Sequence, residues 1–245
     1  MSQIPGPFGS FQQPRSHPLD YEGQQVNQAI AGFFNVVYAW MFAGLALTAV
    51  VAWYVAQHSQ ILQNLGNGIW LLFIVELVLV GVVSQAIYRI NTAVATVLFL
   101  TYAGLNGVVL AVLFLIYTHT MLASAFAVSA GMFGAMSLYG FVTKRDLTAM
   151  GRMMYMALIG LIIASVVSFF VHSSALEVLI NYVGVIIFVG LTAYDTQKLK
   201  KIAIATSGNA AMASRLAISG ALILYLDFLN LFLMMLELMG GNSRR

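Results

Sequence analysis

Apolar and polar positions are segregated along this chain rather than alternating. Seven apolar runs follow one another from residue 31 onward: Ala31–Val55, Ile69–Tyr88, Ala93–Tyr117, Leu122–Val142, Met153–Val171, Leu176–Gln197 and Leu216–Met239. Each is near the ~20 residues that a helix needs to cross the hydrocarbon core of a bilayer. None contains proline. A transmembrane barrel would instead show alternating segments of about 10 residues, and helices satisfy every backbone group within the segment. The pattern predicts an all-α integral membrane protein, a bundle of seven transmembrane helices over 31–239. Residues 1–30 hold all four prolines among Gly, Gln and Ser and read as a disordered, solvated tail. They lack the basic start and apolar stretch of a signal peptide. Residues 240–245 form a short C-terminal tail.

Composition reinforces the lipid reading. Of 245 residues, 61% are hydrophobic and 8% charged, where a soluble domain carries about 25% charged residues. The mean hydropathy is +0.90. A net charge of +3 does not imply a nucleic-acid partner. With no cysteine, disulfides, thiolate metal sites and thiol nucleophiles are excluded. The four histidines (His17, His58, His119, His172) lie in the tail or in turns, none with a partner at metal-ligand spacing. No cofactor and no tight metal site are expected.

Lysine and arginine set the orientation. Arg15, Arg89, Lys144, Arg145, Arg152, Lys198, Lys200, Lys201 and Arg215 share one side of a seven-span topology, and only Arg244 and Arg245 fall on the other. The N-terminus is therefore cytoplasmic and the C-terminus outside, unless the last run is a re-entrant hairpin. Small residues recur every four positions at Ala103, Gly107 and Ala111, and at Ala127, Gly131 and Ala135. Both stripes are read as helix-packing faces.

The acidic residues carry the chemistry. Glu76, Asp195, Asp227 and Glu237 fall inside apolar runs, where a carboxylate at the bilayer centre costs about 3 kcal/mol even on the mild insertion scale. Asp227 is the deepest, about 16 Å from the start of its run at 1.5 Å per residue. Its face carries Gly220, Ile223, Asn230 and Met234, and Asn230 is placed to hydrogen-bond it. The sixth run presents Asn181, Gly184, Phe188, Thr192 and Asp195 on one stripe. If these faces meet, two carboxylates share a pocket and titrate as a unit. By counting, however, Asp195 is about 10 Å nearer the inner boundary than Asp227. The competing reading leaves them apart, with Asp195 pairing with Lys198. Glu76, about 10 Å deep, either pairs structurally with Asn106 or lines the same water path as Asp227. Glu237 reads as a solvated helix end.

Two segments carry a resemblance: Gly190-Leu191-Thr192-Ala193-Tyr194-Asp195-Thr196-Gln197, and Leu224-Tyr225-Leu226-Asp227-Phe228-Leu229-Asn230-Leu231-Phe232. With the short basic loops and polar tail, the chain over about 25–240 resembles the transmembrane Bax inhibitor motif (Bax inhibitor-1-like) family. The resemblance implies a seven-helix bundle with helix 7 central, an aspartate dyad at Asp195 and Asp227 that senses pH, and a latching arginine best matched by Arg89. It implies a pH-dependent calcium leak. It also brings in relatives that suppress cell death or bind a membrane protease, and a bacterial inner-membrane location suits the chain.

Three functions follow. The first is a pH-sensitive cation (calcium) leak channel or sensor, gated by Asp195 and Asp227, with Arg89 as latch and Glu76, Asn106 and Asn230 along the ion path. The second is a non-conducting regulator that binds a membrane-bound protease or another membrane partner. The third, an intramembrane aspartyl protease, suits two carboxylates, but Leu224-Tyr225-Leu226 stands where such proteases carry Gly-x-Gly, and no enzymatic activity is expected. All four lysines lie in loops, which disfavours a retinal Schiff base.

Overall fold

The computed structural model describes residues 18–66, 91–171 and 173–242, together with 68, 71, 72, 74–76 and 78. Among these are helices α1 (Pro18–Gln57), α2 (Ser59–Leu65), α3 (Thr92–Leu110), α4 (Leu113–Ile116), α5 (His119–Val142), α6 (Thr148–Val171), α7 (Ser174–Ala205) and α8 (Ala210–Asn242), and no strand occurs among the described residues. Six helices are long and apolar enough to cross a membrane: α1, α3 with α4 as one stretch Thr92–Ile116, and α5 to α8. The second predicted run, 69–88, lies mostly outside the described residues.

Local signals start these helices. Asn91 accepts a hydrogen bond from Val94 N at 2.8 Å, and Thr118 from Met121 N at 3.3 Å, each satisfying an orphan donor of a first turn. Asn209 does the same for Met212 N at the head of α8. α1 begins at Pro18, inside the stretch read as tail, and α7 continues to Ala205, eight residues past the predicted end at Gln197. Apolarity marks only the part of a helix that sits in lipid: the polar turns added to α7 pack on other protein, whereas Gly23 to Gln25, Asn27 and Gln28 of α1 are exposed.

On α1 the buried positions Ile30, Phe33, Phe34, Val37, Met41, Leu45, Thr48, Ala52 and Val55 recur at three- and four-residue intervals, a single helical stripe. On α8 burial covers most of the circumference. Leu216 to Ile218, Gly220 to Leu222, Leu224, Tyr225 and Asp227 to Leu229 are buried, and the stripe Ser219, Ile223, Leu226 and Asn230 is half-buried. α8 packs against α1, α3, α5 and α7. Phe42, Met156 and Ile186 point outward, more than half exposed, and form part of the surface for the lipid solvent.

Cross-helix contacts fix the directions. Gly44 meets Phe99, Thr48 Oγ1 donates to Ala103 O, and Gly107 meets Val51. Both chains ascend together, so α1 and α3 are parallel neighbours. Leu199 meets Gly220 while Gly184 meets Met234, and Phe133 meets Phe228 while Leu122 packs with Leu236, so α5 and α7 descend while α8 ascends. The two basic loops lie at one end, tied by Lys201 Nζ to Asp146 Oδ1 at 2.8 Å and by Gln197, whose Oε1 accepts from Leu147 N at 2.9 Å and whose Nε2 donates to Arg145 O at 2.7 Å. α1 starts at this end, beside the α7–α8 turn. α8 is one continuous helix of 33 residues, about 50 Å long. Its C-terminal Gly240 meets Tyr117 at the opposite end, so the last run crosses rather than returning.

One predicted packing stripe is corrected. Ala103, Gly107 and Ala111 are buried as expected, but Ala127, Gly131 and Ala135 are exposed. The buried face of α5 is Ala125, Ser129, Phe133, Ser137 and Gly140. Small residues at four-residue spacing mark a helix but not the face that it buries. The close approach on α5 rests on Gly140 alone.

Candidate functional site

α7 turns Asn181, Gly184, Phe188, Thr192 and Asp195 inward, all buried, on the stripe expected from sequence. Asp195 is 1% exposed and Asp227 on α8 is 6% exposed. The two carboxylates interact electrostatically. The depth offset found by counting shrinks because α7 continues about two turns beyond the run. Gly220 meets Leu199 and Gly184 meets Met234, which puts Asp195 and Asp227 within about one turn of each other in level.

The hydrogen-bond partner of Asp195 comes from a helix on which the sequence reading placed no site residue. The Tyr155 hydroxyl on α6 donates to both carboxylate oxygens of Asp195, at 3.2 Å each. It also lies within electrostatic range of Asp227. Its ring is 40% exposed and stacks edge-on with Tyr194, 6.0 Å between centroids. Gly151 leaves the space that the Tyr194 ring fills. The signal in the sequence was a lone tyrosine among Met153, Met154 and Met156.

Asp227 Oδ2 is buried with no hydrogen-bond partner. Asn230 does not supply one, because its Nδ2 donates to Leu226 O at 2.8 Å. Neither aspartate forms an ion pair among the described residues. Lys198, exposed, is the cation whose charge Asp195 feels, which leaves a weak form of the pairing considered from sequence. Arg89 lies outside the described residues.

Glu76 and Asn106 come together elsewhere. Both are buried, with Glu76 Oε1 and Asn106 Nδ2 lacking partners. Both adjoin Tyr102, and Glu76 also interacts with Tyr225. Tyr225 precedes Asp227 by two residues, about 200° around the helix. Its hydroxyl meets Thr48 Oγ1 at 2.7 Å on α1, whereas Asp227 faces α7. Among the described residues, the body of α8 therefore stands between the Glu76 cluster and the aspartates. Glu237 is exposed, as expected, and hydrogen-bonds Asn181.

Below the aspartates, hydroxyls staple three helices. Tyr38 on α1 bonds Ser137 on α5, and Ser137 Oγ lies 3.0 Å from Thr196 Oγ1 on α7. Lys200 Nζ donates to Phe141 O at 2.8 Å, covering a carbonyl at the C-terminus of α5. Asp146 lies outside the membrane-spanning segments. The Lys201 hydrogen bond, together with those from Thr148, holds its carboxyl down at about 2.

Comparison with known proteins gives the family. The family described as inhibitor of apoptosis-promoting Bax1 matches residues 30–244. Inner membrane protein YbhL of Escherichia coli K12 is 50% identical over 223 residues, covering 89% of this chain and 95% of that protein. A protein of Deinococcus radiodurans is 46% identical, covering 90% and 94%. A membrane protein of Streptococcus pyogenes is 37% identical, covering 86% and 93%. The chain belongs to the Bax inhibitor-1-like family and is a multi-pass protein of the bacterial inner membrane.

Proposed function

We propose that this member of the Bax inhibitor-1-like family is a pH-responsive cation leak or sensor, gated by Asp195 and Asp227, with calcium as the first permeant ion to test. One observation carries the reading. Two carboxylates on adjacent helices interact inside the bundle, and one of them, Asp227, has a buried oxygen with no partner. A carboxylate pair out of water titrates as a unit. Its protonation changes how α7 and α8 hold together, and so biases any two-state equilibrium between them. Asp195 adds the Tyr155 donor, which binds the ionised form well.

The same reading takes α8 as the central helix of seven spans. The parallel run of α1 and α3 supports this count. α1 runs away from the basic loops, and α3 begins level with the middle of α1, near Val37, and runs the same way. The seven-span reading adds the apolar run 69–88 of the sequence between them. The charge of the basic loops supports a cytoplasmic N-terminus.

The test is calcium flux into liposomes holding the purified protein, from pH 6 to 8, for the unaltered chain and for Asp227→Asn. A flux that changes with pH and is altered by the substitution is expected. No flux above protein-free liposomes at any pH overturns the leak, and the non-conducting regulator of a membrane protease or other partner then becomes the better reading.

A further inference from the structure

α1 and α5 are joined at the basic end and separate from there. Near that end Phe34 and Phe141 pack edge-on, 5.0 Å between centroids, and Tyr38 bonds Ser137. Farther along, the helices part around a cleft of about 540 Å³. Phe42 and Leu45 form one wall, Phe126, Phe133 and Gly134 the other, and Phe228 of α8 the floor. Phe228 is held from the α5 side by Phe126 at 5.3 Å and Phe133 at 5.6 Å. From Phe141 to Phe126 the cleft follows α5 for about 22 Å. Phe42 and Leu138 on its rim are more than 60% exposed, so the cleft opens sideways to the bilayer.

Its chemistry is polarised. Asn35, Tyr38 and Ser137 give the basic end polar atoms, and the rest of the lining is apolar. At that end Lys200 Nζ stands 4.9 Å above the Phe141 ring, which itself lines the cleft. Lys200 has no carboxylate partner among the described residues, and Lys144 and Arg145 are exposed in the adjoining loop.

We propose that this cleft is a binding site for one anionic phospholipid of the cytoplasmic leaflet. One acyl chain lies between α1 and α5 on Phe228, and the phosphate lies beside Lys200 and the α5–α6 loop. Three observations select this occupant. The volume falls within the usual range for a ligand site of about 300–1,000 Å³. The shape is long, open to hydrocarbon and polar at one end only. The basic charge gathers at that polar end, where anionic lipid of the inner leaflet is attracted. The site does not depend on the leak reading. It places a lipid chain against the residue that follows Asp227, so occupancy bears directly on α8.

Delipidated protein in mild detergent is titrated with phosphatidylglycerol or phosphatidylcholine, and bound lipid is counted by native mass spectrometry. One phosphatidylglycerol is expected to bind at least ten-fold more tightly than phosphatidylcholine. Gly134→Trp, which fills the cleft, should reduce this binding at least ten-fold. Val128→Trp, exposed on the far side of the same helix, should leave it unchanged. Lys200→Gln should remove the preference for the anionic lipid while chain binding persists. Equal retention of the two lipids by the unaltered protein overturns the proposal, as does full retention by folded Gly134→Trp. If the cleft instead holds another segment of this chain, no lipid binds the unaltered protein and the proposal also fails.

Discussion

Gly140→Ala tests the α5–α7 contact that positions Asp195. A β-carbon there would lie 2.9 Å from both the carbonyl carbon and the α-carbon of Ala193, and closer still to its oxygen. Non-bonded carbons settle at about 3.5–4.0 Å, so the helices must part by up to about 1 Å. The obstacle is backbone, and no side chain can rotate away to relieve it. A displacement of that size takes the Ser137–Thr196 contact from 3.0 Å to beyond hydrogen-bonding range. Overpacking costs about 1–3 kcal/mol, and a lost interhelical hydrogen bond in a membrane costs about 0.6 kcal/mol. The expected loss is about 2–4 kcal/mol, read as earlier loss of the monodisperse peak on heating in detergent. Gly134→Ala on the same helix, with nothing within 4 Å, should be neutral or gain up to about 1 kcal/mol from helix propensity. If Gly140→Ala is as stable as the unaltered protein, the approach of α5 to α7 at Ala193, two residues before Asp195, is not tight.

Thr48→Val leaves the buried Tyr225 hydroxyl without its partner and should cost about 1–3 kcal/mol, whereas Thr48→Ser should restore most of it; equal loss in both variants would point to the methyl group instead. Asp227→Leu removes a buried oxygen that lacks a partner, so it should stabilise the bundle by about 1–3 kcal/mol while abolishing any pH response; a destabilised variant contradicts this. Asp146 is held at about 2, below its ordinary 3.8, and a carboxylate lowered on folding contributes above its unfolded value and loses that contribution as pH falls through the folded one. Amide protection in residues 143–147, relative to intrinsic exchange at each pH, should therefore hold from neutral pH to about 4 and fall toward pH 2, and Asp146→Asn should remove that dependence; a fall that survives in the variant means that the loop is released by another group.

The stripe Asn181–Asp195 was legible in the sequence because a helix with one polar face in an apolar run has few places to put it. The depth of Asp195 was not. The polar turns after Gln197 look like a loop by hydropathy, yet Gln197 and Lys201 pin the α5–α6 loop and Lys200 covers the end of α5, which keeps α7 helical to Ala205. Tyr155 was invisible for a related reason: a tyrosine in an apolar run reads as a lipid-facing ring, and only the approach of α6 to α7, permitted by Gly151, turns its hydroxyl onto Asp195. Helical phase could have separated Glu76 from Asp227, since its neighbour Tyr225 and Asp227 stand about 200° apart on α8. That argument needed to know which face each partner occupies, and the sequence does not say.

The surroundings of the aspartates differ on their two sides, and this gives the proposed pH response a direction. Toward the basic end, Asp195 is one turn from exposed Lys198, whose charge it feels, and Thr196, Gln197, Ser137 and Tyr38 supply hydroxyls and an amide nearby. Toward the other end, Asp227 is followed by Phe228, Leu229, Leu231 and Leu236, all buried, and Leu236 packs on Leu122 and Ala125. Water and protons have hydrogen-bonding partners on the first route; on the second Asn230 is committed to Leu226 O, and Met234 packed on Gly184 lies between Asp227 and the outer pair Asn181–Glu237, where each desolvated polar group costs several kcal/mol. Protons should reach Asp195 from the cytoplasmic side and Asp227 through it. In vesicles of defined orientation, a step in pH on the cytoplasmic side should alter the flux promptly, and the same step on the outer side should not. Equal responses to both steps would mean that the apolar seal above Asp227 opens to water, and α8 could not then act as the barrier that the gating argument needs.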